Sequence, residues 1–287
     1  MGEKTLAGKT VVVTGGSLGI GFAVAKQASS CGPELILISR HEKDLKKAVS
    51  ELPSDHGQIH RYYVLDVSRS DQVKKFAANL KKTKTIIHGL VNAAGVLPPI
   101  GKTEDISPQE FEKTFQTILF GTFNMCHYLI PLLKKSPRGK IVNFSGGGAT
   151  GAFPNYTAYA VSKIGVVKLT ENLAAEYKNE NIDVNAIAPG FVITRMHENT
   201  LRAGKRAGIE YLEKTRAEIA RGGTPVKHAA ELVFLLLSSA ADGVSGKLIS
   251  APWDPWNKAD FIKHLKDDKD FGVLRRIDDQ FFFKKPI

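Results

Sequence analysis

Two cysteines in 287 residues, Cys31 and Cys126, are too few to staple a fold. Each lies in a stretch of helical periodicity with apolar neighbours, so both read as reduced core thiols. Neither reads as part of a bridge or a metal site, and no metal is expected. Long hydrophobic runs are also missing. The longest near-apolar helical stretch, Ala229 to Ala241, is shorter than a bilayer crossing and contains Glu231, so no membrane span is expected. The opening MGEKTLAGKT lacks the apolar centre of a secretory leader. Leu6 stands where acylation at Gly2 would want Ser or Thr, and a cytoplasmic location is the expectation. Acid is scarce beside base: 29 Asp and Glu face 40 Lys and Arg, a net charge of +11. Such an excess can report an anionic ligand or a nucleic acid. The lysine pairs at 46–47, 74–75, 81–82 and 134–135 are instead scattered over helix faces, with no aromatic-basic module beside them, so nucleic acid is not an expected partner. No internal repeat and no low-complexity tract appears.

What is present is an alternation of short β-branched runs and amphipathic stretches, long enough for one large α/β domain. Residues 9–14, KTVVVT, have the unbroken apolar character of a strand buried on both faces. The turn Gly15-Gly16-Ser17-Leu18-Gly19-Ile20-Gly21 follows and opens a helix. Strand, glycine turn and helix make the setting in which a dinucleotide pyrophosphate rests on free N–H groups. Gly15 serves the tight turn, Gly19 the close approach of backbone to phosphate, and Gly21 the packing of helix on strand.

A second strand, residues 35–38, ends at Ser39-Arg40. An acid near this point binds both ribose hydroxyls of NAD, whereas a basic residue favours a 2′-phosphate, so Arg40 points to NADP(H). The less favoured reading is that Arg40 merely opens the following surface helix. A third strand, 59–65, ends in Asp66-Val67, where the carboxylate can accept from an adenine amino group or cap the next helix. A fourth strand, 86–91, runs into Asn92-Ala93-Ala94-Gly95, small residues that leave room for a ribose, with Asn92 able to tie strand ends together. A long helix over 108–133 carries Gly121, where another helix can come close. Strand 140–144 leads into SGGGATGAFPNYTAYAVSK. A sixth strand, 182–187, ends in Pro189-Gly190-Phe191-Val192-Ile193-Thr194, with Thr194 placed to bind a cofactor amide or phosphate. Residues 195–225 read as a mobile lid. A helix over 226–239 and a strand over 246–249 close the core.

Tyr159 and Lys163 are four residues apart on a helix and therefore share a face. A free phenol ionises near pH ~10. An ammonium beside it would favour the phenolate, a cationic nicotinamide ring would add to that shift, and Tyr159 could then exchange a proton at a carbonyl or alcohol oxygen. The same spacing also arises on ordinary amphipathic helices, so the pair gains its weight from the other motifs.

Together, TGxxxGxG at 14–21, NAAG at 92–95, YxxxK at 159–163 and PGxVxT at 189–194 resemble the short-chain dehydrogenase/reductase family, over roughly residues 5–250. The resemblance implies a doubly wound, Rossmann-type parallel sheet of seven strands with helices on both faces. It implies a nicotinamide cofactor at the strand C-termini, Tyr159 as proton donor, and Lys163 as partner of Tyr159 and ligand of the nicotinamide ribose. With the residues read above, the candidate cofactor set is Gly15, Ser17, Gly19, Ile20, Gly21, Arg40, Asp66, Val67, Asn92, Ala93, Gly95, Tyr159, Lys163, Pro189, Gly190, Val192 and Thr194. Two positions depart from the family's pattern. Gly146 stands where a serine is usual, leaving Ser145 or Thr150 as the candidate substrate-orienting hydroxyl. Ile118 stands where an asparagine usually supports a water.

The expected activity is an NADP(H)-dependent oxidoreductase acting on a small-molecule carbonyl/alcohol pair, with Tyr159, Lys163 and Ser145 as its catalytic set. The alternative is a dinucleotide-binding protein with weak or lost catalysis, acting as a sensor or partner-binding module. Residues 1–250 form the expected catalytic domain, and 251–287 an extension too aromatic for a free tail, with Trp253, Trp256, Phe261, Leu265, Phe271 and Phe281 to Phe283. A homo-oligomer is expected, dimer or tetramer, with the extension favouring a dimer. Arg275 and Arg276 are candidates to reach the substrate mouth.

Overall fold

The structure is a computed structural model and describes residues 6–276. Seven strands, β1 (Thr10–Thr14), β2 (Glu34–Ser39), β3 (Arg61–Val64), β4 (Gly89–Asn92), β5 (Gly139–Phe144), β6 (Ile182–Ala188) and β7 (Leu248–Ser250), form one all-parallel sheet. Their order is β3-β2-β1-β4-β5-β6-β7, so the chain starts mid-sheet, winds outward one way, then crosses over and winds the other. That reversal falls between β1 and β4, and the C-terminal strand ends there define the ligand crevice of such a sheet.

Strand alternation divides the core. Val11, Val13, Leu35 and Leu37 pack into the layer holding α1 (Gly19–Ser29), α2 (Glu42–Ser50) and α9 (Val226–Leu237). Val12, Ile36, Ile38 and Leu90 face the opposite layer, with α3 (Ser70–Lys82), α5 (Gly121–Leu133) and the later turns of α6 (Thr157–Glu176). Neighbouring side chains on a strand point to opposite faces, so a run such as Val11-Val12-Val13 must be apolar throughout when both faces are covered. Each such side chain contributes roughly 1.5–3 kcal/mol on burial.

The N-terminal end of β5 is closed by charge. Lys140, nearly fully buried, lies 2.7 Å from Asp183 on β6 and 2.6 Å from Asp242, while Arg138 lies 3.1 Å from Asp183. Asp183 also accepts the Gly243 N–H at 3.2 Å.

Several local expectations change. The helix expected over 108–133 is α4 (Pro108–Phe115) and α5 joined through a π-helical segment, Gln116–Phe120. The element that approaches Gly121 is not a helix: a Cβ there would lie 2.6 Å from Val67 Cγ2, on the loop after β3. Cys31 falls just past the end of α1 and is half-buried, whereas Cys126 is buried within α5. The last strand begins two residues later than expected.

Beyond β7 the chain folds back on the sheet. Trp256, Phe261, Ile262, Leu265 and Phe271, around α10 (Ala259–Asp267), join the layer of α1 and α9. The Lys247 ammonium donates to the Asp268 and Phe271 carbonyls, each at 2.7 Å, and the Leu248 N–H donates to Gly272 O at 2.7 Å. Arg275 pairs with Glu171 at 3.3 Å and Asp270 at 3.6 Å. Glu171 is twelve residues, roughly 18 Å, along α6 from Tyr159, so Arg275 is held away from the expected substrate mouth. Trp253, by contrast, is 80% exposed. Phe281 to Phe283 lie outside the described residues. Among the described residues no helix is long and apolar enough to cross a membrane.

Candidate active site

At the end of β1 the chain turns through Gly15, whose φ of +64° is left-handed and which packs against the backbone of Ala93 and Ala94. A Cβ on Gly21 would run into the Gly15 carbonyl oxygen, so the first turn of α1 folds directly onto the glycine turn. Helix α1 begins at Gly19 after Leu18, with no side-chain cap and no acid in its first turn. Its leading N–H groups are thereby left for an external anion. Ser17 Oγ donates to Ser39 Oγ at 3.0 Å and fastens the turn to the end of β2, beside Arg40. Ile20 packs against the α1–α9 layer.

Arg40 and Asp66 come together. Both line a 420 Å³ cavity bounded by Ser68, Val96 and Thr117, and both line a neighbouring 590 Å³ groove with Gln72, Lys75 and Asn79. The Asp66 carboxylate also accepts the Ser68 N–H at 2.9 Å and its hydroxyl at 2.7 Å, building the turn that enters α3. Val67 is buried, and its carbonyl accepts from Asn124 at 2.9 Å.

Asn92 binds strand to strand: its Nδ2 donates to Asn143 Oδ1 at 2.9 Å, and Asn143 donates to Thr170 on α6 at 2.9 Å. Asn92 Nδ2 also lies 3.5 Å from Cys126 Sγ, a thiol pushed up to about 12 by burial. Thr14 Oγ1 accepts the N–H groups of Ala93 and Ala94, both at 3.1 Å. This role of Thr14, at the head of the glycine motif, needs the fold to be seen, because the two segments lie far apart in sequence.

Tyr159 and Lys163 rise from the first turns of α6, both buried. The Lys163 ammonium lies 5.6 Å from the Tyr159 ring centre and donates to Phe144 O at 2.6 Å. A Cβ built on Gly95 would lie 3.9 Å from that ammonium and 3.5 Å from Met196 Cε. Tyr159, Lys163, Gly95 and the start of α7 (Arg195–Ala203) therefore converge. Burial lowers Lys163 to about 8, with no acidic side chain among the described residues opposing it. Burial also pushes the Tyr159 phenol above its ordinary value, to which the nearby Tyr211 adds. In the protein alone, desolvation of a phenolate outweighs the ammonium, which is engaged by a carbonyl rather than by the phenol.

Ser145 is also placed otherwise than a substrate-orienting role requires. Its hydroxyl is buried and faces the Lys163 carbonyl at 3.5 Å, because the residue after β5 still alternates toward α6. Thr150 is exposed. Ile118 is buried in a cluster with Leu97, Ile100, Tyr156 and Tyr159. Aromatic rings not singled out from the sequence form a wall here: Phe153 stacks on Tyr156 at 4.4 Å, and Tyr211 meets both rings edge-on.

The segment after β6 closes over this wall. Pro189 and Val192 are buried, Gly190 has φ +81°, and Phe191 is clamped to Thr224, its N–H donating to Thr224 Oγ1 at 3.1 Å. Thr194 caps α7, accepting the Met196 N–H at 3.3 Å, and its methyl lies 3.6 Å from the position a Cβ on Gly19 would take. Between these ends, α7 and α8 (Ile209–Ala220) sit against the aromatic wall, with Tyr156 donating to Thr200 at 3.0 Å.

A glycine turn under an uncapped helix, a doubly wound sheet and a Tyr/Lys pair at the strand ends define a dinucleotide-binding oxidoreductase class. A profile of the family described as short chain dehydrogenase matches residues 9–205, and the chain belongs to the short-chain dehydrogenase/reductase family. Among curated relatives, the 3-oxoacyl-(acyl-carrier-protein) reductase FabG of Thermotoga maritima is 30% identical over 249 residues, covering 85% of this chain and 96% of its own. The D-threitol dehydrogenase of Mycolicibacterium smegmatis is 31% identical over 236 residues, covering 82% and 88%. Among solved structures, that of an NAD+-bound xylitol dehydrogenase superposes with a TM-score of 0.78 at 23% identity, covering 85% of this chain and 97% of that one. This last likeness concerns the fold.

Proposed function

We propose that the protein is an NADP(H)-dependent oxidoreductase that interconverts a carbonyl and an alcohol on a small molecule. The observation that carries this reading is the convergence of Tyr159 and Lys163 with Gly95 and the α7 terminus, in line with the glycine turn and Arg40 along one sheet edge.

The residues present fit a dinucleotide. Free N–H groups at α1 suit the pyrophosphate, and the cavity flanked by Arg40 and Asp66 suits the adenosine end. Arg40, which lines both cavities, suits a 2′-phosphate through a charge-assisted bond. When bound, the nicotinamide supplies hydride to the carbonyl carbon or accepts it from the carbinol carbon. Tyr159, held protonated by its burial, gives its hydroxyl proton to the carbonyl oxygen in reduction and takes it back in oxidation. Lys163, whose ammonium is the cation near the phenol, offsets the negative charge left on Tyr159. The names of the relatives above specify a 3-oxoacyl group and a polyol, both compatible with a carbonyl/alcohol pair.

A homodimer through the faces of α4, α5 and α6 is part of this reading. Phe120 on the π-helical segment, Phe123 on α5 and Val161 on α6 stand exposed. Light scattering is expected to give a dimer, and a tetramer would refute it.

The test of activity is direct. Purified protein should shift NADPH fluorescence, prefer NADPH to NADH, and consume NADPH only when a carbonyl compound is present. NADPH binding without consumption across a broad carbonyl panel would favour the sensor alternative.

A further inference from the structure

The glycine beside the phenol has one steric neighbour that explains it. A Cβ on Gly146 would lie 2.5 Å from Tyr159 Oη, with the ring carbons at 3.5 Å and beyond. Gly146 is not among the glycines with positive φ, so its backbone would accept any residue. What excludes a side chain is the hydroxyl of Tyr159, which crowds the place a Cβ would take. An ordinary contact begins near 3.4 Å, so any substituent must push the hydroxyl aside by about 1 Å, a displacement that can cost on the order of 10²-fold in rate.

We propose that Gly146 is a positioning residue for Tyr159: the missing side chain is the seat that aims the phenol hydroxyl at the substrate oxygen. The proposal rests on Tyr159 being the proton donor. On this account the departure from serine does not mark a decayed site. The oxygen of the tyrosine takes the space that a serine side chain would occupy, and refitting a serine harms rather than restores the site.

A cycle of variants tests this without any substrate. Gly146→Ala is expected to lower the melting temperature by about 5 °C, as overpacking does. In the Tyr159→Phe background, where the colliding oxygen is gone, the same change is expected to cost little. Gly151→Ala, in the same loop with open space around it, is expected to be neutral in both backgrounds. Equal losses in the two backgrounds would overturn the proposal, as would both the single and the double variant failing to fold. A double variant that folds where the single does not is the same rescue in its extreme form.

Tyrosine labelled at Cζ gives an independent reading by NMR. The resonance that disappears in Tyr159→Phe should move in Gly146→Ala and stay put in Gly151→Ala. With NADPH and either ethyl acetoacetate or dihydroxyacetone as the probe, Gly146→Ala and Gly146→Ser should lower kcat on the order of 10²-fold, with KM changed less than about threefold. A rise in kcat for Gly146→Ser would overturn the proposal. Full activity in Tyr159→Phe would instead overturn the proton-donor reading and leave the steric cycle to stand or fall by itself.

Discussion

Two buried lysines sit at opposite ends of β5 and are treated in opposite ways. Lys140, at the strand's start, has two carboxylates within 2.7 Å, Asp183 and Asp242. Lys163 reaches the strand's last carbonyl, Phe144 O, and its proton affinity is set by burial alone. The first lysine is neutralised and belongs to the architecture. The second has no anionic partner among the described residues, which is costly for stability and places its titration in the range where chemistry is done. One strand thus carries a lock at one end and a working cation at the other, roughly 13 Å away.

The sharpest way to break this comparison is at the phenol. Tyr159→Phe is expected to reduce carbonyl-dependent NADPH oxidation by about 10²–10⁴-fold while NADPH binding, read by fluorescence, is retained. Next comes the lock. Lys140→Met should destabilise the protein by about 3 kcal/mol in urea unfolding, because it takes the buried cation from Asp183 and leaves that carboxylate to Arg138 and the Gly243 N–H, and should leave NADPH affinity of the folded protein unchanged. Lys163→Met removes an uncompensated charge instead and should cost no stability while losing activity. If the two variants were equally destabilised, the contrast between the lysines would fail. Arg40→Glu is a smaller effect: a lost charge-assisted bond of about 1.5–3 kcal/mol should weaken NADPH relative to NADH by about 10–10²-fold, measured as the ratio of KM values.

The smallest effect is one of pH. With its folded pKa lowered to about 8 from 10.5, Lys163 sheds its proton in the native state before it does so in the unfolded chain. The unfolded state therefore binds more protons between those values, and the Lys163 contribution to stability rises with pH from about 8. Tyr159, raised by burial, works the other way above pH 10, where the unfolded phenol ionises first. Unfolding curves at pH 7.5 and 9.5 should show the lysine-dependent gain, and Lys163→Met should abolish it.

Much of this was legible beforehand, for physical reasons that differ by region. The run Val11-Val12-Val13 could only be a doubly buried strand, and a glycine-rich turn after it left few conformations, so the sheet and the cofactor edge followed from local pattern. The catalytic face was less legible. That Tyr159 and Lys163 share a helix face is a matter of spacing. The direction of their titration in the protein alone is a matter of three-dimensional burial, which desolvates the phenol and sets the ammonium on Phe144 O. The Phe153, Tyr156 and Tyr211 wall joins segments more than fifty residues apart, and no periodicity reports such a meeting. Lys140 and Asp183 were hidden in plain view, since a charge within an apolar strand becomes intelligible only once its partner strand is known.

The backward fold of the chain after β7 has a consequence for assembly. Because Gly272 already receives the outward N–H of Leu248, and the Lys247 ammonium is threaded among neighbouring carbonyls, the sheet ends in a hem sewn from its own cloth. A foreign strand finds no loose selvage on that side of the described residues.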